Sequence, residues 1–160
     1  MLALDVKPFR QTPGLCGPSC LKMVLNFYGY AVSEKRVQKL SGATTQAGAS
    51  SQQLVHAAKR LGYQTQVYTH GTFKQLAHCL KQGTPPIVDW FSGDDGHYSV
   101  AIKLTPQFIF LQDPELGAVR KMDRKTFLRV WFDFPGGIIR QPSDLILREF
   151  MVIEPKVKRS

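Results

Sequence analysis

The chain predicts an α+β fold, with helices in its N-terminal half, an antiparallel sheet in its C-terminal half, and a cleft between them. Three observations carry this expectation. Apolar residues recur at helical spacing up to about residue 82. The period then shortens, and PPIVDWF, GHYSVAIKL and FIFLQD are brief runs rich in the Ile, Val, Phe, Tyr and Trp that favour strands. The 160 residues are 43% hydrophobic, enough for an ordinary core, and no repeat, linker or low-complexity stretch divides them, so residues 1–160 are expected to form a single domain.

Residues 1–15 read as extended or loop, with Pro8, Pro13 and Gly14 as breakers. A first helix covers about 17–28: Cys20, Leu21, Met23, Val24, Leu25 and Tyr28 keep helical spacing, Pro18 suits a first turn, and Gly29 supplies the stop. Ser33 caps a second helix from Glu34 to Leu40. After the polar loop SGATTQAGAS, Ser50 and Gln53 form a capping box for a third helix that Gly62 ends. Tyr63 to Tyr68 alternates as a strand, and Thr72 caps a fourth helix from Phe73 to Gln82. The three strand runs follow, the last two joined by a tight turn at Thr105, Pro106 and Gln107, and DPELG is a turn before a strand from Ala118 to Met122. Asp123 caps a short helix carrying Phe127, Leu128 and Trp131, Pro135, Gly136 and Gly137 interrupt the chain, and LILREFMVI forms one final strand before Pro155.

Composition narrows the function. No apolar run reaches the ~20 residues of a bilayer-spanning helix, and the opening MLALDVKPFRQTPG does not read as a signal peptide. Three cysteines without a regular framework fit a thiol protein of a reducing compartment, so a cytoplasmic location is expected. The formal net charge of +9 would permit weak binding of polyanions. The basic residues are scattered, however, and the only dense run is the tail KVKRS, so no specific nucleic-acid site is expected. Zinc spacing, glycine-rich phosphate loops and dinucleotide fingerprints are all missing; neither a metal nor an organic cofactor is expected.

The chemistry concentrates in QTPGLCGPSCLKMVLNFYG. Cys16 sits at or just before the head of the first helix, where free backbone N–H groups and the helix dipole favour negative charge on sulfur. Gly17 leaves room for a substrate backbone, and Cys20, one turn on, reads as packing. A thiol nucleophile needs a base and a group to orient that base. Of the four histidines, His56 and His78 lie in helices beside Ala, Leu or Cys, and His70 lies in a loop with nothing to support it. His97 opens a strand after the turn GDDG and can project into the cleft. Asp113, which alone would read as the cap of DPELG, ends the next strand; hairpin pairing across Thr105–Gln107 makes residues 97 and 113 cross-strand neighbours, so the carboxylate can hold the imidazole. Gln11 is either a loop glutamine making turn bonds or an amide N–H aimed, with the Cys16 N–H, at a developing oxyanion.

These stretches together resemble the C39 peptidase family of papain-like cysteine peptidases, over about residues 8 to 135. The resemblance implies Cys16 as nucleophile, His97 as general base, Asp113 as its orienting acid and Gln11 in the oxyanion hole. Two features depart from the family pattern: the five-residue step from Gln11 to Cys16, and Leu15 where an Asp commonly precedes the nucleophile. The implied activity is hydrolysis of a peptide or protein substrate through an acyl-enzyme, at sites resembling a double glycine, in association with a separate exporter. Two other outcomes stay open at this stage: an acyl or peptidyl transferase using the same groups, and a peptide-binding module on a degenerate peptidase scaffold.

Overall fold

The computed structural model describes residues 2–156. Helices α1 (Cys16–Phe27), α2 (Glu34–Ser41) and α3 (Ser51–Arg60) come first, then strand β1 (Tyr63–Tyr68) and helix α4 (Phe73–Lys81). Strands β2 (Ile87–Ser92), β3 (Asp95–Leu104), β4 (Phe108–Asp113) and β5 (Ala118–Asp123) follow without interruption by helix. A short α5 (Arg124–Val130), β6 (Phe132–Asp133), a 3-10 turn (Pro142–Asp144), β7 (Ile146–Leu147) and β8 (Phe150–Pro155) complete the described chain. The α+β arrangement expected from the sequence is the one observed. Among the described residues no helix is long and apolar enough to cross a membrane. Of the basic tail KVKRS, residues 157–160 lie outside the described residues.

Local chemistry accounts for most boundaries. Ser33 accepts a hydrogen bond from the Arg36 N–H, and Ser50 with Gln53 forms the reciprocal capping box read from the sequence. Thr72 and Gln75 form a second such box ahead of α4. Asp123 accepts from the N–H groups of Lys125 and Thr126 to start α5. That helix has only seven residues, so its one inward stripe takes Phe127 and Trp131 four positions apart, while Leu128 faces solvent.

Six antiparallel strands form one sheet in the order β1-β8-β2-β3-β4-β5. Its two faces are both covered. On one, Tyr98, Val100 and Ile102 of β3 meet Leu21, Val24 and Leu25 of α1 and Leu54 of α3. On the other, Trp90, Ala101 and Leu111 meet Leu76 and Leu80 of α4, Phe127 and Trp131. This central position explains why β3 reads as a nearly continuous apolar run. The final strand is not continuous. Arg148 has φ 49 and donates its N–H to Trp131 O, a break that turns LILREFMVI into β7, paired with β6, and β8, paired with β1 and β2.

At one end of the sheet a carboxylic acid is sealed inside. Asp89 is 2% exposed, and burial, followed by the nearby carboxylates of Asp133 and Glu149, pushes its pKa up to about 11. It is therefore a neutral acid beside these carboxylates, while Glu149 Oε2 accepts from Ser51 Oγ at 2.6 Å. The folded state holds a proton that the unfolded chain releases above pH ~4, so this group removes stability as pH rises from ~4 toward its folded pKa. Asp89→Asn keeps a neutral donor and no proton to lose. It is expected to melt close to the wild type at pH 4 and progressively above it from pH 5 to 9, in thermal scans at matched ionic strength; a pH-independent difference would contradict the neutral acid.

Candidate active site

Cys16 is the first residue of α1, and it is partly exposed while Gly17, Pro18, Ser19 and Cys20 behind it are buried. Leu15 at the N-cap offers no side-chain acceptor, so the leading N–H groups of the helix are left for a ligand. Gly17 suits close packing: a Cβ there would stand 3.1 Å from Leu54 Cδ1 and 3.3 Å from Tyr98 Cδ2, and those side chains would have to give way. The glycine thus draws α1 close to α3 and β3, placing Cys16 over the start of the strand that carries His97.

His97 is buried, and its Nε2 lies 2.6 Å from Asp113 Oδ1. The two residues are not direct cross-strand partners. A bulge at Ile102 shifts the β3–β4 register, Val100 pairs with Gln112, and His97 stands beyond the paired stretch, opposite Trp90 of β2. The ring therefore reaches Asp113 diagonally and packs edge-on against Trp90, with centroids 5.5 Å apart. Burial opposes a charged imidazole, yet hydrogen bonds to Asp113 and then to Cys16 raise the His97 pKa to about 9. The short bond of the ring is the one to Asp113, and the Cys16 thiol is its other neighbour.

Asp113 is fully buried and answers three donors. Besides His97 it takes the Glu115 N–H at 3.0 Å on Oδ1 and Arg120 Nε at 2.6 Å on Oδ2. Burial alone would raise its pKa, but the bond and charge of His97, then Arg120, hold it below the usual carboxylate range. Arg120 also lies over the Trp90 ring, 5.5 Å from its centroid. The sequence reading missed this arginine. Its signal was available: in the β4–β5 hairpin Ala118 pairs with Asp113, so Arg120, two residues on, shares the carboxylate's face.

Gln11 lies on the loop before α1, its N–H bonded to Pro114 O at 2.8 Å, which ties that loop to the Asp113 turn. Its Oε1 is buried with no hydrogen-bond partner among the described residues. Gly14 takes φ 86 in this loop, and a Cβ there would overlap Thr45 O, so the segment around residue 45 presses on the loop from outside. The structure thus gathers Cys16, His97 and Asp113 with the Gln11 loop beside them, while His56, His70 and His78 are all exposed. Cys20 is fully buried, as its reading as packing requires, and burial raises its pKa well above the ordinary thiol value. Among the described residues, His97, Asp113 and Glu115 bring ligand atoms within 4.8 Å of one another. That volume already holds the His97–Asp113 hydrogen bond, and the Arg120 guanidinium lies against both acids, so a cation would meet a positive charge in place.

The sequence model of the Peptidase C39 family matches residues 10–134, and the chain belongs to that family. An uncharacterised protein of Methanothermobacter marburgensis is 29% identical over 147 residues, covering 87% of this chain and 95% of the relative. LagD of Lactococcus lactis, a lactococcin-G-processing and transport ATP-binding protein, is 26% identical over 117 residues; the match covers 71% of this chain but 16% of LagD. Among solved structures, the peptidase domain of Streptococcus ComA, a bi-functional ABC transporter involved in quorum sensing, superposes with a TM-score of 0.75 at 24% identity over 95% of this chain and 100% of that one. A double glycine motif protease from an AMS/PCAT transporter, in complex with its leader peptide, gives 0.72 at 20% identity over 96% and 94%.

Proposed function

We propose that the protein is a cysteine peptidase in which Cys16, His97 and Asp113 act as nucleophile, base and orienting acid, with Gln11 at the oxyanion. The observation that carries this reading is the buried imidazole held at 2.6 Å by Asp113 with the Cys16 thiol beside it at the head of α1. Because Nε2 faces Asp113, Nδ1 is the nitrogen left for the thiol proton. Cys16 Sγ adds to the peptide carbonyl carbon, and the carbonyl electron pair moves to oxygen, met by the Cys16 N–H and the Gln11 amide. Collapse breaks the C–N bond as protonated His97 gives its proton to the leaving amine. Water then loses a proton to neutral His97, attacks the thioester and releases the acid and the thiolate.

The substrate in this reading is a peptide cut after small residues, in keeping with the double glycine motif named for one structural relative. Export-linked processing, as the name of the LagD relative describes, is the setting we infer, with the three free thiols pointing to a reducing compartment. One observation favours a second reading: among the described hydrogen bonds with a measured length, the ring's is to Asp113 alone, as in a scaffold that binds peptide without reacting with it. A peptide-library incubation with mass spectrometry of both peptide and protein separates them. Cleaved products with a transient adduct on Cys16 are expected; ligation products on adding amines or thiols indicate transfer. Reversible binding with neither adduct nor cleavage overturns the enzyme reading.

A further inference from the structure

We propose that Glu34, at the head of α2, is a positioning residue that sets the oxyanion side of the site; this rests on the peptidase reading above. Glu34 is the first residue of α2, and its carboxylate spans two pieces of the machinery. Oε2 accepts the Thr12 N–H at 2.9 Å and the Ser19 hydroxyl at 2.6 Å, and Oε1 accepts the Thr12 hydroxyl at 2.6 Å. Thr12 follows Gln11 on the loop that leads to the nucleophile. Ser19 is fully buried in the first turn of α1, three residues past Cys16. One side chain therefore holds the loop that carries the Gln11 amide against the helix that carries the sulfur. These are the two parts whose separation fixes where an oxyanion can sit.

The rest of the loop is held differently. Gln11 N–H bonds Pro114 O at 2.8 Å, and Leu15 N–H bonds Thr12 O at 2.9 Å, closing the turn on itself. Neither bond reaches α1 beyond its cap. Through Glu34 alone, among the described hydrogen bonds of residues 11–14, is the loop tied by side chains into the body of that helix. Charge-assisted bonds of this length are about twice as strong as neutral ones, so the clamp is stiff where stiffness matters for reaction geometry. Displacing a catalytic group by about 1 Å costs on the order of 10²-fold in rate.

The test uses Glu34→Ala and Glu34→Gln in the intact chain, with steady-state cleavage of a peptide substrate and alkylation of Cys16 by iodoacetamide. Glu34→Ala is expected to lower kcat by on the order of 10²-fold. KM should change by less than about threefold and the alkylation rate by less than about twofold, because His97 and the sulfur are untouched. Glu34→Gln can keep all three bonds, its oxygen at the Oε2 position and its amide N–H donating to the Thr12 hydroxyl, and is expected to recover most of the rate. Folding is checked by circular dichroism, and Ser19→Ala, which removes one bond only, gives an intermediate kcat should Glu34→Ala fail to fold. Unchanged kcat in a folded Glu34→Ala or Ser19→Ala protein overturns the proposal while leaving the peptidase reading intact. A wild-type protein that forms no acyl-enzyme sinks both.

Discussion

Cys16→Ala is expected to abolish peptide hydrolysis, with kcat falling on the order of 10⁶-fold, as when the nucleophile of a comparable triad is removed. No other group in the site can replace it. Cys20 is fully buried, with its thiol pushed up by burial and by the charge of Cys16; Cys79 is half-buried on α4, its pKa also raised by burial. Labelling by a peptide-based electrophile should therefore vanish with Cys16, although two thiols remain in the chain. The substitution removes one partly exposed sulfur and should change stability by only about 1 kcal/mol. His97 would also lose one of the two partners that raise its pKa, so its imidazole should titrate below about 9 in the variant, by NMR of the ring protons. Hydrolysis and labelling that both survive the change would remove Cys16 from the mechanism.

The placement of the candidate residues was readable from sequence wherever it depends on a single element. A thiol at a helix head, an imidazole opening a strand and a carboxylate closing the next are local patterns, and each element formed where its caps and period placed it. What escaped depends on how elements meet. The hairpin register was read from loop length, which cannot reveal the bulge at Ile102, and so the diagonal reach of His97 to Asp113 was not foreseen. Arg120 could be found only by pairing β4 with β5 and then reading which face its side chain shares. Glu34 carried no local sign at all. Beside Ser33 it reads as an ordinary acid in a first helical turn, and its partners lie 15 and 22 residues away. Asp89 escaped for the opposite reason: within the apolar run PPIVDWF an acid signals burial, but its neighbours Asp133 and Glu149 arrive from the interrupted C-terminal segment.

Asp113→Ala is expected to lower kcat on the order of 10⁴-fold, the loss seen when the orienting acid of a triad is removed, and to destabilise the fold as well. Two buried or half-buried cations depend on that carboxylate: His97, through a 2.6 Å bond, and Arg120, through another of the same length. Removing one partner of such a pair costs about 3–5 kcal/mol when fully buried. Arg120 keeps 28% of its side chain exposed, which places the expected loss at the low end of that range, read by urea unfolding. Asp113→Asn separates charge from position. Its amide oxygen can still accept from His97 and from the Glu115 N–H, but its NH₂ group then faces the Arg120 Nε–H, donor against donor. The pH profile reports the difference. In the wild type the His97 pKa is raised to about 9, so the pair's contribution from His97 is complete below ~6.5 and is lost as pH rises through about 9. Asp113, held below its usual range, contributes above pH ~4 and loses that contribution as pH falls through its folded value. Activity that needs a protonated His97 to expel the amine should therefore decline above pH about 9, and in Asp113→Asn this alkaline limb should move down toward the ordinary histidine range. An alkaline limb that stays in place in the variant would show that Asp113 holds the ring without setting its charge, and the acid's role would reduce to geometry.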